Sequence, residues 1–169
     1  MASLESFSDL KKAQVQAFDD SKTGVKGILD SGITKIPSIF HVNLEQSTQN
    51  SPTDESSFTN IPIIDLQHIK RVELVDQIKN ASKNWGFFQV INHGIPLHVL
   101  DEMINGISRF HEQDAEAKKP FYSRDKDKKV RYFSNGKLFR DMAANWRDTI
   151  AFAANPDLPN PEEIPAVCR

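Results

Sequence analysis

The sequence predicts an α+β protein of helices and small sheets, on three observations. Residues 61–112 read as strand, helix, strand, helix; two further strand-like runs follow at 132–134 and 146–152; and a helical leader precedes both, set apart by a polar stretch over 42–60. At 169 residues the chain suits one domain, or one and a fraction. The regions expected are 1–60, a helix with a flexible leader or linker; 61–130, the central domain; and 131–169, the approach to a further sheet.

In the leader, Leu10, Ala13, Ala17 and Phe18 fall at helical spacing behind the hydroxyls of Ser6 and Ser8, which predicts a surface helix over 8–20. Gly24, Gly27 and Gly32 punctuate a short helical or turn segment. Ile36-Pro37 then forces the chain extended, because the residue before a proline is pushed out of α geometry. Residues 42–60 contain almost nothing to bury and read as a loop or disordered linker.

Order resumes with a strand over 61–66 and a helix over 68–83, whose Leu74, Val75, Ile78 and Ala81 share a face. The aromatic and β-branched run that follows, opened by Gly86 and closed by Asn92-His93-Gly94, predicts a buried strand, and Pro96 is placed to start a helix. That helix carries Leu97, Leu100, Met103, Ile104, Ile107 and Phe110 on its inner stripe. Residues 116–130 are dense in charge and predict a solvated face or loop. Tyr132-Phe133-Ser134 and residues 146–152 predict two strands joined through Asn135 and Gly136. At 160–163, Asn-Pro-Glu-Glu has the character of a helix start. An isolated helix needs ~12 residues to hold in water, so a start with almost nothing after it predicts an interrupted chain.

Lys plus Arg number 21 against 23 Asp plus Glu, so the formal charge of −2 leaves no footprint for nucleic acid or an anionic membrane, and neither is expected as a partner. The first ten residues lack the basic and apolar regions of an export signal, and no segment approaches the ~18 apolar residues of a membrane span. A cytoplasmic chain is expected. Cys168, alone and next to the last residue, fits a reducing compartment and predicts no catalytic thiol.

No nucleophile elbow, phosphate-binding glycine loop or paired-cysteine zinc signature occurs, and His111-Glu112 lacks a histidine at position 115, where Ala115 stands. His93 reads as a turn residue bonding nearby backbone, His111 as a helix histidine beside the apolar stripe, and His68 and His98 as surface residues near helix starts.

The stretch Trp85-Gly86-Phe87-Phe88-Gln89-Val90-Ile91-Asn92-His93-Gly94-Ile95-Pro96, with Ile61-Pro62-Ile63-Ile64-Asp65-Leu66, closely resembles the N-terminal domain of plant non-haem iron, 2-oxoglutarate-dependent dioxygenases. Residues 18–40 and Ala143-Ala144-Asn145-Trp146-Arg147-Asp148-Thr149 resemble one subgroup, the 1-aminocyclopropane-1-carboxylate oxidase homologues. The resemblance implies a helical, small-sheet N-terminal domain over 61–130, with only the start of the jelly-roll (double-stranded β-helix) barrel in 131–169. That barrel supplies the iron ligands and the 2-oxoglutarate clamp. In relatives the segment matching 131–135 runs past the mouth of the active site, so the resemblance makes Tyr132, Phe133 and Asn135 candidates for lining a substrate pocket. Relatives carry an aromatic-acidic pair where this chain has Gly136-Lys137, and Ser-Pro where it has Asp141-Met142.

Such oxygenases hold iron with two histidines and a carboxylate, commonly spaced His-x-Asp with a distant second His. None of the five histidines here has an acid two residues on, and the Arg-x-Ser pair that grips 2-oxoglutarate is missing. The expectation is therefore no catalytic, cofactor or metal residue in this chain, and no activity from it alone. Fe(II), 2-oxoglutarate, ascorbate as reductant, and a small-molecule substrate belong to full-length relatives. The rival expectation is a non-catalytic binding or interaction module derived from the family. Truncation leaves an unpaired barrel edge at 146–152, which predicts self-association.

Overall fold

The computed structural model describes residues 2–42 and 60–169, so the linker expected over 42–60 lies, apart from its end residues, outside the described residues. Two units are present: residues 45–101 form one, and residues 1–44 with 102–169 form the other.

The 45–101 unit is a strand–helix–strand turn of chain. β1 (Ile63–Asp65) and β2 (Gln89–Ile91) pair in parallel, Ile64 opposite Val90, with α3 (Arg71–Asn84) between them in sequence. Glu73 in the first turn of α3 and Lys83 in the last complement its dipole. Gly86, at φ +77°, ends it: the Trp85 and Gly86 N–H groups both return to the Ala81 carbonyl, at 2.8 and 3.1 Å. At the exit of β1, the Asp65 carboxylate accepts from the Gln67 and His68 N–H groups at 2.9 and 3.3 Å, and lies 2.9 Å from His68 Nδ1. Those bonds hold the Asp65 carboxyl well below its ordinary range, the Gln67 N–H first, then the Asn92 amide. His93 behaves as its sequence predicts, its Nδ1 accepting from the Ile95 N–H at 3.0 Å.

The expectation of a buried strand at 87–91 is corrected. Ile64 is buried, but Phe87, Val90 and Ile91 are exposed. Helix α3 packs on β1, and a two-stranded ribbon gives β2 no second layer within the unit. On α3, Ala81 is buried and Leu74 and Ile78 are half-buried, while Val75 is exposed.

The boundary between the units falls inside α4 (Leu97–Glu112). Phe110 is fully buried and Leu100 and Ile107 half-buried, but Leu97, Met103 and Ile104 are exposed, so only part of the expected inner stripe is covered. Gly106 lets the 166–168 turn approach, where an added Cβ would stand 3.2 Å from the Val167 carbonyl oxygen. Arg109 and Cys168 bond across this contact, to the carbonyls of Val167 and Gly106.

In the larger unit, α2 (Gly24–Asp30) lies against the antiparallel pair β3 (Val130–Ser134) and β4 (Asp148–Phe152), Tyr132 opposite Ile150, and α1 (Ala2–Ser21) packs on α2 and on the turn at Ser38–Phe40. The core joins Val15, Phe18, Val25, Ile39, Phe40 and Leu138, with Phe40 edge-on to Phe18 and Trp146 at 5.6 and 4.8 Å between ring centroids. On α1 the buried positions are Val15 and Phe18. Leu10, Ala13 and Ala17, expected on the same face, are exposed, because the 3₁₀ turn Ser38–Phe40 packs one step round the helix. Both expected strands at 130–152 form, although Trp146 precedes β4 rather than lying in it. At the 160–163 start, Pro161 takes the first position of a 3₁₀ turn and the Asn160 N–H donates to Glu163 Oε2 at 2.7 Å.

The charged stretch 116–130 is an exposed loop over 125–128, as expected, and is corrected at two residues. It contains α5 (Ala115–Lys118), whose Lys118 is fully buried and donates to the His111 carbonyl at 2.8 Å, and Arg124 is drawn inward onto an acid. The described residues form two two-stranded sheets and no closed barrel.

Candidate functional site

Strand β3 alternates strictly, with Val130, Tyr132 and Ser134 buried and Arg131 and Phe133 half-exposed on the other face. That alternation separates the three pocket candidates. Tyr132 points into the unit, where its ring meets Phe110 and Tyr122 edge-on, each at 5.5 Å, and His111 at 6.1 Å. Its hydroxyl donates to Asp148 Oδ2 at 3.1 Å and lies 3.3 Å from the Thr23 carbonyl. Burial, and then the Asp148 carboxylate, push the phenol far above its ordinary pKa, so it stays a neutral donor. Burial likewise pushes the His111 and Lys118 pKa values down.

Asp148 opens β4 and also accepts from the Val25 and Lys26 N–H groups at 2.9 and 3.2 Å, closing the first turn of α2. Gly24 enters that turn at φ +68°, and an added Cβ would overlap the Tyr132 hydroxyl and the Asp148 carboxylate. One carboxylate therefore fixes α2, β4 and the Tyr132 side chain together.

Asn135 sits at the elbow after β3 at φ +55° and is almost fully buried. Its Oδ1 accepts from the Lys137 N–H and the Asn145 amide, both at 3.4 Å, while its Nδ2 has no partner. Arg124 crosses the same elbow. Its Nη2 and Nη1 donate to the carbonyls of Ser134 and Asn135 at 2.8 and 3.1 Å, and its Nε lies 2.8 Å from both oxygens of Asp19. The Tyr122 hydroxyl donates to the same carboxylate. This is a fixed clamp between α1 and the end of β3.

Phe133, on the outer face, lines a recess of about 250 Å³ together with Phe139 and Leu138. Five cations surround it: Arg124, Lys126, Arg131, Lys137 and Arg140. The Arg131 guanidinium lies 5.5 Å from the Phe133 ring centroid and that of Arg124 lies 5.3 Å from Phe139. Of the three pocket candidates, Phe133 alone lines this recess; Tyr132 and Asn135 are buried and do not line it. The sequence reading missed Arg140 and Phe139, and no local pattern marks them.

An iron site does not fit the described residues. No three of their His, Cys, Asp and Glu side chains stand together to hold a metal ion, and His68, the histidine nearest a carboxylate, is spent on the Asp65 turn. No described helix is long and apolar enough to cross a membrane.

Comparison with known proteins agrees with the architecture. The family model described as "non-haem dioxygenase in morphine synthesis N-terminal" matches residues 61–167. The chain is 54% identical over 159 residues to 1-aminocyclopropane-1-carboxylate oxidase homolog 1 of Arabidopsis thaliana, covering 91% of this chain and 43% of that one. It is 46% identical over 163 residues to a probable 2-oxoacid dependent dioxygenase of the same plant, and 45% identical over 167 residues to oxidase homolog 3; each match covers 94% of this chain and 45% of the relative. It thus spans somewhat less than half the length of these relatives. With β1, α3, β2 and the β3–β4 pair inside or overlapping the matched region, the chain belongs to the non-haem dioxygenase family, through its N-terminal part, among the 1-aminocyclopropane-1-carboxylate oxidase homologues.

Proposed function

We propose that this chain is the substrate-facing N-terminal part of an Fe(II)- and 2-oxoglutarate-dependent dioxygenase acting on a small plant metabolite in the cytoplasm, and that it has no oxygenase activity alone. The observation that carries this is the division of β3: one face is built into the unit through Tyr132, and the other leaves Phe133 lining an open recess without iron ligands beside it. In full-length relatives the β3–β4 ribbon is the start of the jelly-roll barrel, which supplies the iron, the 2-oxoglutarate clamp and the step that uses ascorbate as reductant.

Two assays test this reading. The purified chain, stripped of metal and resupplied with Fe(II), releases no succinate from 2-oxoglutarate above a no-protein control. A chimera carrying this chain in place of the matching stretch of oxidase homolog 1 does turn 2-oxoglutarate over. Turnover by the chain alone, or a folded, iron-loaded chimera that is inert, overturns the proposal.

A second reading, a non-catalytic interaction module, draws support from β4. Its outer edge pairs with no strand among the described residues, and Trp146 beside it is exposed. Self-association through this edge gives a sedimentation coefficient that rises with concentration; a monomer at every concentration removes that support.

A further inference from the structure

We propose that the recess around Phe133 is a binding site for a small organic anion that carries a flat apolar part and one acidic group, a carboxylate or a phosphate. The inference rests on the reading of the outer face of β3 as turned towards substrate, and it adds the chemical class of what is bound there.

The first argument is charge. The whole chain is formally −2, yet residues 123–140 hold seven Lys and Arg against two Asp, so the recess is a local reversal of the background sign. All five charged residues that line it are cations. Arg124 is committed to Asp19, whereas no described carboxylate lies within 4 Å of the head groups of Lys126, Arg131, Lys137 or Arg140. Four like charges around one concavity repel each other, and an anion seated among them relieves that repulsion. Arg131 is positioned rather than loose: its Nη1 donates to the Asp125 carbonyl at 3.2 Å and its guanidinium lies near the Phe133 ring.

The second argument is shape and polarity. Phe139 is 54% exposed although it belongs to the recess wall, and Phe133 offers a second ring. Two aromatic rings beside guanidinium groups suit a planar ligand, its ring packed on the phenylalanines and its acid on the arginine fork. A volume of about 250 Å³ falls just below the ~300–1,000 Å³ of ordinary ligand pockets, which favours one ring with a short acidic arm over a longer chain.

The test uses the 169-residue chain and four probes: cinnamate, phenyl phosphate, the uncharged cinnamamide and acetate, followed by titration calorimetry. At least one anion binds saturably, about tenfold or more tighter than the amide, and weakens as salt is raised. The stronger of the two anions identifies the acidic group. In Lys137→Gln/Arg140→Gln, which removes two exposed cations, that affinity falls about tenfold. Phe139→Ala weakens cinnamate but leaves the weak, salt-dependent association of acetate unchanged. If circular dichroism shows a variant unfolded, the amide comparison and salt dependence of the unaltered chain decide. Equal binding of amide and anions, or no saturable binding of either anion, overturns the proposal. Binding here and turnover in the chimera fail independently, so a wrong ligand class is distinguished from a wrong function.

Discussion

Replacing Arg124 by alanine tests whether the clamp at the end of β3 holds the larger unit together. The guanidinium makes close contacts to both oxygens of Asp19 and donates to two main-chain carbonyls, and the Asp19 and Arg124 side chains are 13% and 27% exposed. Alanine leaves the carboxylate facing only the Tyr122 hydroxyl, and takes a charged donor from the carbonyls of two buried residues, Ser134 and Asn135, of which Asn135 keeps the Leu138 N–H at 3.1 Å. Removing one partner of a buried pair costs ~3–5 kcal/mol, and the quarter of Arg124 that water reaches reduces this to about 2–4 kcal/mol. That is a large share of the ~5–15 kcal/mol that holds an ordinary domain folded. Lysine retains the charge but cannot fork between carboxylate and carbonyls, so Arg124→Lys is expected to lose roughly half as much. Urea denaturation followed by tryptophan fluorescence measures both, with an unchanged slope showing that stability alone moved. An alanine variant less than ~1 kcal/mol below the parent, or a lysine variant as damaged as alanine, refutes the account of the clamp.

Gly24→Ala is expected to cost about 2 kcal/mol or more, because the positive φ and the overlap with Tyr132 and Asp148 act together; a melting temperature within error of the parent contradicts this. At the β3 elbow, Asn135→Ala loses roughly 1 kcal/mol more than Asn135→Gly, since both delete the amide and only glycine accepts φ +55° freely; equal losses show that the backbone is not the constraint. Asp65 sets an acid limit on the smaller unit. Its folded pKa lies below the unfolded value of ~3.9, so its stabilisation is complete above that pH and is lost as pH falls through the folded pKa. Asp65→Asn therefore flattens the stability profile below pH ~4, and a profile as steep as the parent's removes the turn from the explanation.

What the sequence made legible was local. A strand, its turn and the next helix are written in neighbouring residues, so 61–112 and the β3–β4 pair emerge with their boundaries nearly right, and even the His93 turn bond follows from its immediate neighbours. Burial was less legible. The apolar run at β2 has the composition of a core strand, but composition does not count layers, and this ribbon supplies one. Within the charged stretch nothing distinguishes Lys118 from Lys119 until α5 turns one of them inward. The clamp was invisible for a different reason: Asp19 and Arg124 are 105 residues apart, and no periodicity spans that distance. For the pocket candidates, a family resemblance identified the segment 131–135, but only the alternation of β3 decides which side chain faces outward.

The bond from the Val25 N–H to Asp148 spans 123 residues and has a consequence for the order in which the molecule is made. The larger unit is assembled from two separated pieces of chain, whereas the 45–101 unit is continuous. On a ribosome extending the chain at ~5–20 residues per second, the continuous unit has all its partners roughly 2–9 s before Asp148 is synthesised. Helices α1 and α2 must wait meanwhile, their shared core with Ile39 and Phe40 still short of Leu138, and contacts of such long sequence separation close slowly even once both halves exist. The nascent protein therefore passes through a stage in which its earliest residues are its last to fold, and chaperone binding in that interval should centre on residues 15–40.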